Sequence, residues 1–257
     1  EMKQNYFLNY FLFLFFLSSV FNSNGQIASS ATYPATTCNN FTQCSSGPYI
    51  LASFYDTINE VLYIGGNFND VGGTTRRRLA AIDVKTGALL SWAPIVNNGN
   101  VYTITKTGNT VYVGGSFTQI NSTSRNYLAA IDAGTGSLLS WNPAPNNEIN
   151  SLTTDGAYLF AGGKYTIISS QSHRYLSIYD VATGDLNAWQ PILPVAYNYC
   201  NKIIFTSNKV YFLSENTGGG NSAYATTYGS GTITQLADAG PDLIQDYLVS
   251  NNNLFCT

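Results

Sequence analysis

Leu62-Tyr63-Ile64-Gly65-Gly66-Asn67-Phe68, Val111-Tyr112-Val113-Gly114-Gly115-Ser116-Phe117 and Leu159-Phe160-Ala161-Gly162-Gly163-Lys164-Tyr165 are three versions of one heptapeptide, spaced by 49 and then 48 residues. Each is followed by Asp-x-x-Thr-Gly and then by a tryptophan: Asp83 to Gly87 and Trp92, Asp132 to Gly136 and Trp141, Asp180 to Gly184 and Trp189. A repeat of this length built from short strands is the signature of a propeller blade.

Within a repeat the pattern reads as four strands. The first, Val101 to Thr105 or Ile149 to Thr153, leads into a turn at Gly108-Asn109 or Asp155-Gly156; an Asp-Gly pair supplies the positive backbone angles of a two-residue hairpin. The second strand carries the glycine pair, and a polar loop follows. A third strand (Leu79 to Asp83, Leu128 to Asp132, Leu176 to Asp180) and a last short one reach the tryptophan. Alternation puts Val111, Val113 and Phe117 on one face and Tyr112 on the other, while Leu128 and Ala130 oppose Ala129 and Ile131. Both faces are apolar, which hairpin-linked strands require only when sheets stack face to face around an axis.

The expected fold is therefore all-β, a β-propeller of four-stranded antiparallel blades near residues 50–94, 101–142, 149–190 and 202–236, with a partial fifth over 246–257. The fourth repeat is degenerate: Val210-Tyr211-Phe212-Leu213-Ser214-Glu215 lacks the glycine pair, and no Thr-Gly turn or tryptophan follows. The chain stops within a second strand, an incomplete ring that predicts an N-terminal portion of a longer protein whose remaining blades pack at its C-terminal side.

Each repeated residue has a structural task. Asp83, Asp132 and Asp180 can accept turn amides, and Gly87, Gly136 and Gly184 can take the left-handed conformation. Trp92, Trp141 and Trp189, each two residues before a proline, suit packing between neighbouring sheets; a ring of sugar-stacking aromatics is the sharper alternative. Gly65-Gly66, Gly114-Gly115 and Gly162-Gly163 call for close packing between blades or a bulge. Repetition argues against a unique site within residues 50 to 190, so a binding site is to be sought in the loops that break the pattern.

The chain has 257 residues, 44% apolar, with 10% charged and a net charge of −3, so no basic field favours nucleic acid. Arg76-Arg77-Arg78, the basic run, reads as a solvated strand edge. Residues 1–26 place Lys3 before a Phe- and Leu-rich run and a small polar stretch, the layout of a cleavable signal peptide; the apolar run is shorter than the roughly 20 residues of a spanning helix. Residues 27–48 read as a linker. Export to the cell surface or medium follows, with no membrane span after cleavage. Of four cysteines, Cys38 and Cys44 are the candidate disulfide, while Cys200 and Cys256 read as buried thiols. His173, the one histidine, occupies the slot of Arg76 and Arg125, so it reads as positional. No catalytic, cofactor-binding or metal-binding residue is nominated.

Val111 to Phe117, Arg125-Asn126-Tyr127-Leu128-Ala129-Ala130-Ile131-Asp132, Thr135-Gly136 and Trp141-Asn142-Pro143 together resemble the delta-sixty repeat propellers of exported bacterial proteins, over about residues 50 to 190. The resemblance implies a multi-blade propeller within a larger secreted or surface protein, serving as a binding or scaffold module for protein or glycan, and it carries over no catalytic residues and no cofactor. The Ala-x-Asp-x-x-Thr-Gly-x-Leu-x-x-Trp stretch is also similar to the blades of pyrroloquinoline quinone dehydrogenases, which implies a quinone- and calcium-dependent alternative. A carbohydrate-active propeller enzyme is the third reading.

Overall fold

The structure is a computed structural model, and it describes residues 49–191, 197–206, 209–216, 221–230, 232–238, 247–250 and 253–256. The leader, the linker, Cys38 and Cys44 lie outside these residues. In chain order the first repeat comprises β1 (Tyr49–Asp56), β2 (Val61–Asn67), a ribbon of β3 (Asp70–Val71) and β4 (Thr74–Thr75), and β5 (Leu79–Asp83). The second comprises β6 (Val101–Thr107), β7 (Thr110–Gly115), β8 (Gln119–Ile120), β9 (Thr123–Ser124) and β10 (Leu128–Asp132). The third comprises β11 (Ile149–Thr154), β12 (Tyr158–Gly163), β13 (Ile167–Ile168), β14 (Gln171–Ser172) and β15 (Leu176–Asp180). Next come β16 (Tyr197–Thr206), β17 (Lys209–Asn216), β18 (Asn221–Thr227) and β19 (Ile233–Asp238), then β20 (Tyr247–Ser250) and β21 (Asn253–Cys256). All pairings are antiparallel, in the orders β1-β2-β5, β6-β7-β10, β11-β12-β15, β16-β17-β18-β19 and β20-β21.

Two details depart from the expected four-stranded blade. The fourth strand of the first three repeats shrinks to single bridges, Ile82 with Leu89, Ile131 with Leu138 and Tyr179 with Leu186. The Leu90 carbonyl accepts Arg76 Nη2 at 2.7 Å and the Leu139 carbonyl accepts Arg125 Nη2 at 3.0 Å, so a guanidinium caps the edge segment before the chain crosses to the next sheet. The degenerate fourth repeat, free of the Trp-x-Pro exit, keeps four full strands. The polar loops, moreover, contain the ribbons. Their two-residue tips, Gly72-Gly73, Asn121-Ser122 and Ser169-Ser170, all have positive φ, as mirror-image hairpin turns require.

Stacking follows the two-faced strand pattern. One core joins Tyr63, Leu79 and Ala81 of the first sheet to Val101, Ile104, Val111, Val113, Ala129 and Ile131 of the second. A second joins Tyr112, Leu128 and Ala130 to Ile149, Leu152, Leu159, Ala161 and Tyr179, and a third joins Phe160, Leu176 and Ile178 to Cys200, Ile203, Val210 and Phe212. β6 touches β1, β11 touches β6 and β16 touches β11, so the first strands of successive sheets lie side by side along the axis. Full burial of each Val or Ile is worth about 1.5–3 kcal/mol, and Val101 and Ile149 have no exposure.

The glycine pairs divide two tasks. A Cβ on Gly65, Gly114 or Gly162 would come within 2.6 Å of Val101 Cγ1, 2.5 Å of Ile149 Cγ2 or 2.7 Å of Cys200 Sγ, each on the following inner strand. A Cβ on Gly66, Gly115 or Gly163 would sit 2.0 Å from the Tyr49 carbonyl, 2.0 Å from that of Asn100 or 2.1 Å from that of Glu148, in the same sheet. There the register slips by one residue, between Ile50 and Ala52, Val101 and Thr103, and Ile149 and Ser151. The first glycine admits the next sheet; the second admits a β-bulge.

Inner strands are also tied by hydrogen bonds that hydrophobic patterning does not reveal. Thr103 Oγ1 accepts the Leu152 N–H at 2.9 Å, and Ser151 Oγ accepts the Ile203 N–H at 3.0 Å. Deeper in the third repeat, Tyr165 replaces the phenylalanines Phe68 and Phe117, and Ser177 replaces the alanines Ala80 and Ala129. The added hydroxyls meet: Tyr165 Oη lies 2.9 Å from Ser177 Oγ and donates to the Ala161 carbonyl at 2.7 Å.

Gly114→Ala should cost about 1–3 kcal/mol through overpacking against Ile149, and Gly115→Ala should cost more, because backbone rather than a side chain must give way; urea unfolding of both variants checks the order. Tyr165→Phe alone should lose about 1 kcal/mol. The Tyr165→Phe, Ser177→Ala double variant should recover part of that loss, since it recreates the Phe-Ala pair of the other repeats, and a double-mutant cycle measures the coupling.

Candidate functional site

The recurring motif residues build the hairpin turns and the joints between sheets. Asp83 Oδ1 accepts the Thr86 N–H at 2.7 Å and its hydroxyl at 2.9 Å; Asp132 Oδ1 repeats both bonds with Thr135; Asp180 Oδ1 accepts the Ala182 and Thr183 amides at 2.8 and 2.9 Å. The threonine amides, then their hydroxyls, hold the Asp83 and Asp132 carboxyls below the usual range. Gly87, Gly136 and Gly184 close these turns at φ of +71°, +74° and +77°.

Each tryptophan reaches the following repeat. Trp92 Nε1 donates to the Asp132 carbonyl at 2.9 Å, Trp141 Nε1 to that of Gly184 at 2.9 Å and Trp189 Nε1 to that of Ser230 at 2.6 Å. Edge-to-face rings complete the seat: Tyr63 on Trp92 at 5.1 Å, Tyr112 and Tyr179 on Trp141 at 5.5 and 5.0 Å, Tyr228 on Trp189 at 5.5 Å. In two repeats the tryptophan meets the next Thr-Gly turn, which is why the two motifs recur together. Trp92 is buried in this packing, and Trp141 and Trp189 are half-buried.

The basic run differs from a solvated edge. Arg76 bonds the Thr75 and Leu90 carbonyls and Arg78 Nη1 the Val96 carbonyl at 2.9 Å, both half-buried, and Arg77 alone is exposed. His173 is 5% exposed, and burial lowers its pKa, so the imidazole is neutral at neutral pH. Cys200 is a buried free thiol seated on Gly162, and burial pushes its pKa up to about 12.

An ion pair crosses the first joint. Lys106 Nζ lies 2.8 Å from Asp56 Oδ2, with side chains 9% and 5% exposed. Asp56 also accepts the Ile58 and Asn59 amides at 3.0 and 3.2 Å and Asn59 Nδ2 at 2.8 Å. Burial by itself would raise its pKa; the bonds from Asn59, Lys106 and Ile58 outweigh it and bring the value to about 2.

The repeats break their pattern on the inner strands. Ile50, Val101, Ile149 and Cys200 occupy one register position, beside the bulge, and the last three are buried. The residues flanking them form a row of changing chemistry: Tyr49 and Leu51, Asn100 and Tyr102, Glu148 and Asn150, Tyr199 and Asn201. Tyr49 and Leu51 are 42% and 47% exposed, and the other six are half-buried. Lys164 Nζ pairs with Glu148 Oε2 at 3.0 Å and lies 5.2 Å from the Tyr199 ring centre, and Asn150 Nδ2 donates to the Cys200 carbonyl at 3.2 Å. This row is the candidate site. It escaped sequence reasoning because apolar residues alone align the strands opening at Val101 and Ile149, and only the observed register adds Ile50 and Cys200 and shows the flanking residues as one row.

No family model matches the chain, and no curated protein matches it. Among solved structures, the extracellular domain of the one-component system BT4673 from B. thetaiotaomicron aligns with a TM-score of 0.54 at 15% identity, over 88% of this chain and 27% of that one. The Neurospora crassa Pan2 WD40 domain aligns at 0.49 and 13% identity over 79% of this chain and 57% of its own, and the computationally designed Ika8 protein at 0.49 and 13% over 81% and 67%. The fold is a β-propeller. Among the described residues no helix is long and apolar enough to cross a membrane.

The depressed carboxyl of Asp56 adds stability that is full above the unfolded value near 4 and is lost as pH falls through about 2. The shift corresponds to about 2 kcal/mol. Unfolding measured across that window should show this acid limb, and Lys106→Met should make it shallower.

Proposed function

We propose that this chain is a non-catalytic binding or scaffold module of an exported protein, with a protein or glycan partner. The observation that carries the reading is the division of labour between residues. The repeated residues are spent on structure, the first glycines and the tryptophans on joining sheets, the second glycines on the bulges and the aspartates on their own turns, whereas chemistry varies from repeat to repeat along the axial row. A surface that holds its backbone constant while changing its side chains suits recognition. The fold shared with an extracellular domain supports placement outside the cell, as does the apolar leader in the sequence.

Purified protein, mixed with dye-coupled electron acceptor, alcohols, pyrroloquinoline quinone and calcium, should show no oxidation above a quinone-only control, while glycan and protein arrays should retain at least one partner. Quinone- and calcium-dependent alcohol oxidation would contradict the reading.

A further inference from the structure

The axial row has a chemistry narrower than "protein or glycan", and we propose that it binds a neutral carbohydrate chain. The inference rests on the binding-module reading and adds the ligand class. Three tyrosines, Tyr49, Tyr102 and Tyr199, stand in the row with Asn100, Asn150 and Asn201, so every inner strand contributes an aromatic ring, an amide or both, and the third adds Glu148 beside its Asn150.

An aromatic face offers a flat apolar surface to the C–H side of a sugar ring while the tyrosine hydroxyl stays wet. A carboxamide presents a donor and an acceptor together, which matches vicinal hydroxyls, groups that both donate and accept. Charge argues for a neutral ligand: the Glu148 carboxylate is held by Lys164, and that ammonium also faces the Tyr199 ring, so the pair presents no net charge to an incoming acid or base. The four inner strands are neighbours in order, β1 beside β6, β6 beside β11 and β11 beside β16, so the row runs across successive strands as an elongated ligand would.

Partial burial fits the same role. Asn150 and Tyr199 are held by neighbours yet keep accessible surface, which lowers the ordering cost of binding. Asn150 is the most constrained, since one amide hydrogen is committed to the Cys200 carbonyl; its carbonyl oxygen remains an acceptor.

The test is calorimetric titration of the full chain with neutral hexasaccharides (cello-, manno-, malto- and xylo-oligomers) and with oligogalacturonate as the acidic comparison. At least one neutral oligomer should bind and the acidic one should not. Tyr102→Ala and Tyr199→Ala should each weaken binding by about tenfold, as loss of one stacked ring does. Tyr102→Phe and Tyr199→Phe keep the ring and should bind within about threefold of wild type on the same reasoning. Thermal unfolding of every variant separates lost stacking from lost fold. Absence of neutral-sugar binding, binding that the alanine variants leave intact, or preference for oligogalacturonate would each overturn the inference. A protein partner displaced by the same alanine variants would overturn the carbohydrate assignment and leave the binding-module reading standing; alcohol oxidation would remove both.

Discussion

A β-branched side chain of one inner strand rests against a bare Cα in the sheet before it, and the stack is organised by that contact. Val101 on Gly65 and Ile149 on Gly114 bring adjacent sheets closer than any side chain at the glycine would allow. At this separation a hydroxyl on one inner strand reaches the amide of the next, as Thr103 does for Leu152 and Ser151 for Ile203. The indole of each tryptophan spans the outer part of the same joint. Close approach, buried hydrogen bond and aromatic bolt act in parallel, and none has a partner unless the neighbouring sheet is in register.

This dependence on neighbours makes the repeats similar. The first glycine of each pair receives a side chain of the following inner strand, and the Thr-Gly turns of the second and third repeats receive the tryptophan of the repeat before, so the residues recur as a set. The fourth repeat shows what happens when the set is dropped. Leu213 stands at the glycine position and no tryptophan follows, and the sheet gains a full fourth strand instead. The residues flanking Ile50, Val101, Ile149 and Cys200 belong to no such set, and there the chemistry differs from repeat to repeat.

Much of this was legible in the sequence where spacing and chemistry coincide. The Asp-x-x-Thr-Gly turns follow from local hydrogen bonding, and the two apolar faces from alternation along β7 and β10. Other features were not legible. The two-residue ribbons are too short to carry a period, and Thr103 and Ser151 look like ordinary polar strand residues until their partners some 50 positions away are placed beside them. Trp92 announces that it packs, but not that its N–H seeks the Asp132 carbonyl. The axial row was hidden for a different reason: Tyr49, Asn100, Glu148 and Tyr199 have nothing in common but their register.

The claim that inner strands are locked to one another, rather than merely adjacent, is tested most directly by native-state hydrogen exchange at the amides of Leu152 and Ile203. If the inter-sheet bonds to Thr103 and Ser151 hold the stack, both amides exchange only through global unfolding, with protection equal to that of the core of β7 and β12. Exchange as fast as at the exposed ribbon tip, Ser170, would contradict it.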